Sequence, residues 1–139
     1  MSSAAPDAAT ESPRYRALLV DDEPVIRHAL RRFFQRQGWT VDDAENGAQA
    51  LALLFAAGAP PYDVIISDLR MPGISGMELY QRLRAERPAL LDRLILSTGD
   101  SVSPEASEFL RRSPCPVLNK PFELAELRAI VGRMVGAPS

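Results

Sequence analysis

Val64-Ile65-Ile66-Ser67-Asp68-Leu69-Arg70-Met71-Pro72-Gly73-Ile74-Ser75-Gly76-Met77-Glu78 is the stretch that decides the fold. Val64 to Ser67 is short, β-branched and continuously apolar, the pattern of a strand buried on both faces. Met71-Pro72-Gly73 reads as a turn. Ser75, followed three residues later by Glu78, is a capping box that opens a helix carrying Met77, Tyr80 and Leu83. Pro88 ends that helix. A buried strand that turns into an amphipathic helix is half of a crossover unit, and Asp68 stands at the strand's carboxyl end.

The same unit recurs on either side. Ala17-Leu18-Leu19-Val20 is an apolar run that stops abruptly in acid, at Asp21-Asp22-Glu23. Pro24 then starts a helix with Ile26, Leu30, Phe33 and Phe34 at helical spacing, closed by Gly38. Trp39 to Ala44 is a more polar strand, suited to a sheet edge. Ala48 to Ala57 are strong helix formers, ended by Gly58, Pro60 and Pro61. Beyond the deciding stretch, Leu94-Ile95-Leu96 is a fourth strand, with a weak helix from Pro104 to Leu110. Val117-Leu118 is a short fifth strand, and a last helix from about Glu123 places Leu127, Ile130, Val131 and Met134 on one face. Five strand–helix units predict an α/β fold, a parallel sheet covered on both faces with right-handed crossovers.

Length and charge set the outer limits. The chain has 139 residues, 46 % of them hydrophobic and 24 % charged, enough for one domain with a sizeable core. Residues 1–14 read as a disordered leader, 15–136 as the domain and 137–139 as a short tail. Sixteen basic and eighteen acidic residues leave a net charge of -2, so nucleic acid is not an expected partner. One cysteine excludes an internal disulfide and, with a single histidine, disfavours a zinc site built from soft ligands. The longest apolar run is about half a membrane span, and the first residues lack a secretory signal. No membrane partner is expected, and the cytoplasm is the default location.

In a parallel sheet of this type, ligands gather at the carboxyl ends of the strands. Here those ends carry Asp21-Asp22-Glu23, Ser67-Asp68, Ser97-Thr98-Gly99-Asp100 and Asn119-Lys120-Pro121. Carboxylates so close together repel one another unless a cation joins them. Oxygen ligands alone suit a hard ion, Mg²⁺ above all. With a lysine and a hydroxyl beside them, they make a site for phosphoryl chemistry.

At this point the chain resembles the receiver domains of two-component response regulators, over residues 15 to 135. The matching text is LLVDDEP, SDLRMPGISGMEL, STGD and LNKPFELAEL, with Asp22, Asp68, Thr98 and Lys120 spaced 46, 30 and 22 positions apart. The resemblance implies a doubly wound, flavodoxin-like sheet of strand order 2-1-3-4-5. It implies that Asp68 is the phosphoacceptor, and that Asp21, Asp22 and Asp68 hold Mg²⁺ with the backbone carbonyl of Arg70. Lys120 then contacts the phosphoryl group, Thr98 is the switch hydroxyl, Gly99 keeps access open, and Lys120-Pro121 is a cis peptide. The implied partners are a sensor histidine kinase or histidine phosphotransfer protein upstream, and a protein target downstream. Such a chain catalyses its own Mg²⁺-dependent phosphorylation and dephosphorylation and otherwise acts as a switch. With no sequence left for an output domain, it stands alone, shuttles phosphate in a relay, or was excised from a longer protein.

Two features depart from that family's pattern. Val117 stands where an aromatic side chain commonly couples the threonine to the output face. Pro114 and Pro116 hem in the fifth strand and cannot donate ladder hydrogen bonds, so the fourth helix and fifth strand are the expected atypical part. The TGD, FL and PVLNKPF pattern looks more like receivers attached to or serving hybrid histidine kinases than those fused to DNA-binding domains. Arg70 and Asp100, of opposite charge, are placed to pair across the mouth of the site. Lys120 reads as solvent-facing, Glu23 as a support residue, His28 as a surface histidine and Cys115 as structural. Arg31, Arg32 and Arg36 read as a solvated face. The rival functions are a phosphorylation-independent interaction module on the same fold and, behind it, a small Mg²⁺-dependent phosphohydrolase.

Overall fold

The computed structural model describes residues 15–58, 61–71, 73–99 and 103–136. The leader 1–14, Asp100 and the tail 137–139 lie outside these. Strands β1 (Arg16–Val20), β2 (Thr40–Ala44), β3 (Val64–Asp68), β4 (Leu94–Thr98) and β5 (Val117–Asn119) alternate with helices α1 (Pro24–Gln35), α2 (Gly47–Leu54), α3 (Gly76–Glu86), α4 (Pro104–Arg112) and α5 (Leu124–Val135). The strands form one sheet in the order β2-β1-β3-β4-β5, and every pairing is parallel.

Alternation along the strands builds two cores. Ile65, Leu94 and Leu96 point to one side, where Ala50, Leu51, Leu79, Leu83 and Ala106 of α2, α3 and α4 cover them. Val64, Ile66 and Ile95 point to the other, against Leu30, Phe33 and Phe34 of α1 and Leu127, Ile130 and Val131 of α5. Because both faces are covered, β3 and β4 are buried at every position and read as continuous apolar text.

The helix starts follow local chemistry. Pro24 sits in the first turn of α1, Ser103 caps α4 through the Ala106 N–H, and Ser75 with Glu78 closes a capping box on α3. Gly136 ends α5 in the left-handed conformation, with φ of 72°. Two glycines are needed for close approach. A Cβ on Gly47 would lie 2.5 Å from the Ile74 carbonyl oxygen, and one on Gly76 2.5 Å from the Asp68 carbonyl oxygen. The start of α3 therefore presses directly on the end of β3 that carries Asp68, and the start of α2 presses on Ile74 in the loop between β3 and α3.

Two details differ from the pattern read in the sequence. Pro88 stops α3 and also starts a 3-10 helix over Pro88–Arg93, which periodicity does not reveal in so short a segment. α2 ends at Leu54 and not Ala57, and α4 runs on to Arg112. β5 is short, as its sequence suggests, with three residues where the other strands have five. Pro116 still serves the ladder, because its carbonyl accepts the Leu96 N–H at 2.9 Å.

Candidate functional site

Four strands deliver polar residues to one rim. Asp21 follows β1 directly and prolongs its pairing with β2, donating its N–H to Ala44 O at 3.2 Å. Its side chain then turns the chain into α1: Oδ1 accepts the Glu23 N–H at 2.9 Å, while Arg27 Nη1 donates to the Asp21 carbonyl at 2.6 Å. Asp68 and Thr98 are the last residues of β3 and β4. Lys120 follows β5, held by its N–H on Thr98 O at 2.7 Å and preceding a cis peptide to Pro121. Asp21, Asp68 and Thr98 are all buried, at 2 %, 6 % and 2 % exposure.

Lys120 ties the rim together. Its Nζ lies 2.9 Å from Asp21 Oδ2, 2.9 Å from Glu23 Oε1 and 3.3 Å from Asp68 Oδ2. The side chain is only 14 % exposed, which corrects the reading of a solvent-facing lysine. Three carboxylates close on the ammonium and shelter it. Carboxylate oxygens of Asp21, Glu23 and Asp68 lie within 4.8 Å of one another. That is a set of hard oxygen donors concentrated enough to hold a divalent cation.

The electrostatics follow from that crowding. Burial, reinforced by the charge of Asp21, pushes the Asp68 carboxyl up from 3.8 to about 6, against the pull of Lys120 and the Arg70 N–H. For Lys120, burial alone favours the neutral amine. Hydrogen bonds to Glu23 and Asp21, with the charge of Asp68, outweigh it and raise the ammonium above its usual range. The lysine therefore stays charged, and the carboxylates remain in excess around it. An added cation would relieve that excess, so the donor set fits Mg²⁺ by charge as well as by atom type.

The remaining residues divide clearly. Arg70 is exposed, and its backbone N–H approaches Asp68 Oδ1 at 3.4 Å. Thr98 Oγ1 makes a long contact of 3.4 Å to the Gly99 carbonyl, and a Cβ on Gly99 would meet nothing within 4 Å. Asp22 is exposed and stands outside the carboxylate trio; it lines a neighbouring cleft with Glu45, Asn46, Gly73 and Ile74. Val117 is half-buried and pairs with Leu96, one strand away from the acids. Asp100 lies outside the described residues, and with it the expected pairing to Arg70. Sequence reading gave Glu23 only a supporting part and passed over Gly76. The signal for Gly76 was its place directly after a capping serine, next to an acidic strand end.

Three comparisons bear on this geometry. The family model described as response regulator receiver domain matches residues 17–132. Transcriptional regulatory protein TrcR of Mycobacterium tuberculosis is 33 % identical over 114 residues, 82 % of this chain and 42 % of that protein. The DNA-binding transcriptional regulator NtrC of Escherichia coli is 35 % identical over 117 residues, 84 % of this chain and 24 % of that protein. This chain thus spans less than half the length of these curated relatives. A crystal structure of a response regulator receiver protein from Pseudomonas putida superposes with a TM-score of 0.74 at 30 % identity, covering 88 % of this chain and 98 % of that one.

Proposed function

The chain belongs to the response regulator receiver domain family, and from that premise we propose that Asp68 accepts a phosphoryl group from a phosphohistidine. The observation that carries this reading is the buried Asp68 carboxylate at the end of β3, ion-paired to Lys120 with Asp21 and Glu23 beside it. In the reaction a carboxylate oxygen of Asp68 forms a bond to phosphorus. The phosphorus–nitrogen bond to the donor imidazole breaks, and its electron pair remains on the ring nitrogen. The carboxylate needs no base, since it is ionised at neutral pH.

Asp21, Asp68 and the neighbouring acids, Glu23 or Asp22, with the Arg70 carbonyl, are the residues that would hold Mg²⁺. When bound, the ion supplies charge neutralisation for the incoming phosphoryl oxygens. Lys120 supplies the protein's own share, a fixed positive charge at the end of β5. Thr98, whose hydroxyl has only a long contact to give up, turns toward the new oxygens. Gly99 leaves the approach open. The product is a domain with added charge at one rim, and its output is a change in which protein it contacts.

We read residues 15–136 as one receiver unit served by a histidine kinase or phosphotransfer protein in the cytoplasm. Among the described residues no helix is long and apolar enough to cross a membrane. Peptide mapping after treatment with acetyl phosphate and Mg²⁺ tests the central assignment. A single labile phosphoryl group on the peptide that contains Asp68 is expected. Stable modification of His28 or of a serine, with Asp68 untouched, contradicts it.

A further inference from the structure

Helices α3 and α4 lie side by side on one face of the sheet, and the groove between them carries its charges in order. Both helices follow parallel strands, so both start at the acidic rim and run away from it. Two adjoining clefts of about 430 and 580 Å³ make up the groove, and Gln81, Glu105 and Phe109 line both. The floor is apolar: Met77 and Phe109 are half-buried, and the Phe109 ring meets Tyr80 edge-on at 5.0 Å. Near the rim the charges lining the groove are Glu78 and Glu105. At the far end they are Arg84 and Arg112, with Glu108 between.

α4 is seated lightly. Of its nine residues only Ala106 is buried, and Glu105, Phe109 and Arg112 recur at helical spacing along the side that borders the groove. Glu108 is shared by Arg111 and Arg112, so one positive charge is left over at that end. Among the described residues neither Glu105 nor Arg84 has an ion pair. A surface with acid at one end, base at the other and apolar side chains between fits its own image turned end over end. The two-fold axis then crosses both helices at the level of Gln81 and Phe109. It sets Glu105 against Arg112 of the second copy, Glu78 against Arg84 of the second copy, and covers Phe109. A two-fold axis running along the groove would bring acid onto acid, which the charge order opposes.

We propose that the α3–α4 groove is the interface of an antiparallel homodimer, in which Glu105 of each chain pairs with Arg112 of the other. This dimer is independent of the phosphoacceptor reading. Helices of 11 and 9 residues side by side present a face of roughly 16 by 20 Å. That is small for a specific interface, so the dimer is weak and forms as concentration rises. Exposed ion pairs add little attraction, whereas like charges pressed together cost much more; charge therefore fixes the register more than the affinity. Asp21, Asp68, Thr98 and Lys120 do not line the groove. End-over-end packing leaves the two acidic rims at opposite ends of the dimer, each open to its own phosphodonor.

The test is sedimentation equilibrium of the full chain up to about 1 mM, where even a millimolar Kd is visible. The samples are wild type, Glu105→Arg, Arg112→Glu and an equal mixture of the two variants, each checked for folding by circular dichroism. Wild type is expected to dimerise. Each variant alone should associate at least about tenfold more weakly, because like charges then face each other at both ends of the interface. The mixture should return to within about threefold of wild type, since one heterodimer restores opposite charges at both contacts. Should Arg112→Glu not fold, Glu105→Arg decides through salt, which screens exposed charges: added NaCl weakens the wild-type dimer and strengthens that of the variant. A monomeric wild type, variants that associate like wild type, folded variants whose mixture stays monomeric, or the same salt response in both proteins would each overturn the proposal.

Discussion

Without a divalent cation, the Asp68 carboxyl holds a negative charge in a place that disfavours it. Its value of about 6, against 3.8 unperturbed, means the folded state binds this proton more tightly than the unfolded chain does. Stability from this group is therefore fully present below the unfolded value and is lost as pH rises through about 6. A shift of that size corresponds to at most about 3 kcal/mol. The metal-free protein should gain stability between about pH 7.5 and 4.5, and Asp68→Asn should be more stable than wild type at pH 7.5 but not at 4.5. Urea unfolding at the two pH values checks this; equal stabilities at both would show that Asp68 is not strained. Lys120 adds nothing to that window, because its raised value leaves it charged throughout. Lys120→Ala behaves oppositely: at pH 7.5 it leaves Asp21, Glu23 and Asp68 facing one another without their cation. A loss of about 2 kcal/mol or more is expected in the absence of Mg²⁺, shrinking at low pH where Asp68 protonates. Thermal melts of the variant across pH supply the measurement.

Elements matter here chiefly for how tightly they bring the rim together. α3 begins on Gly76, where any side chain meets the backbone of Asp68 and Leu69 and has no flexible atom to push aside. Gly76→Ala should cost about 1–3 kcal/mol and slow phosphorylation of Asp68, since β3's last residue has to shift. Melting temperature and the rate of phosphoryl uptake read out the two effects. At the other edge, β5 carries Val117, a short and stiff side chain with no large group to swing. Beryllofluoride should therefore perturb amides after β3 and β4 and along α4, with little change in the Val117 methyl groups. Methyl and amide NMR spectra locate the response, and perturbations centred on Val117 and α5 would contradict it. The strands and long helices were legible in the sequence because burial on two faces, or one stripe, leaves a periodic record. The segment Pro88–Arg93 was not, as six residues hold too little periodicity to separate a 3-10 turn from a loop.

On the scale of the whole molecule, the sheet has two differently built ends. The rim opposite the acids is closed by neutralised charge. Arg16 Nη2 meets Asp42 Oδ2 at 2.8 Å, the Tyr62 hydroxyl donates to that same oxygen at 2.6 Å, and Arg93 reaches Asp63 at 3.4 Å. Trp39 packs near that end with Tyr15 and Phe34, at ring separations of 4.9 Å, so its fluorescence reports unfolding and not phosphorylation. The acidic rim, by contrast, keeps carboxylates in excess. Its composition was legible because a parallel sheet brings every strand's carboxyl end to one side, so Asp21, Asp68, Thr98 and Lys120 could be grouped from sequence order. Which acid turns inward was not: Glu23 meets Lys120 across 97 positions of chain, and no local pattern records such a contact. Phosphoryl transfer to Asp68 is the proposed use of this excess of charge. Intact mass after incubation with acetyl phosphate tests it most directly, in wild type and Asp68→Asn, with Mg²⁺ and with chelator. One added phosphoryl group is expected in wild type with Mg²⁺ and none in the other three samples; equal uptake by Asp68→Asn would rule out Asp68 as the acceptor.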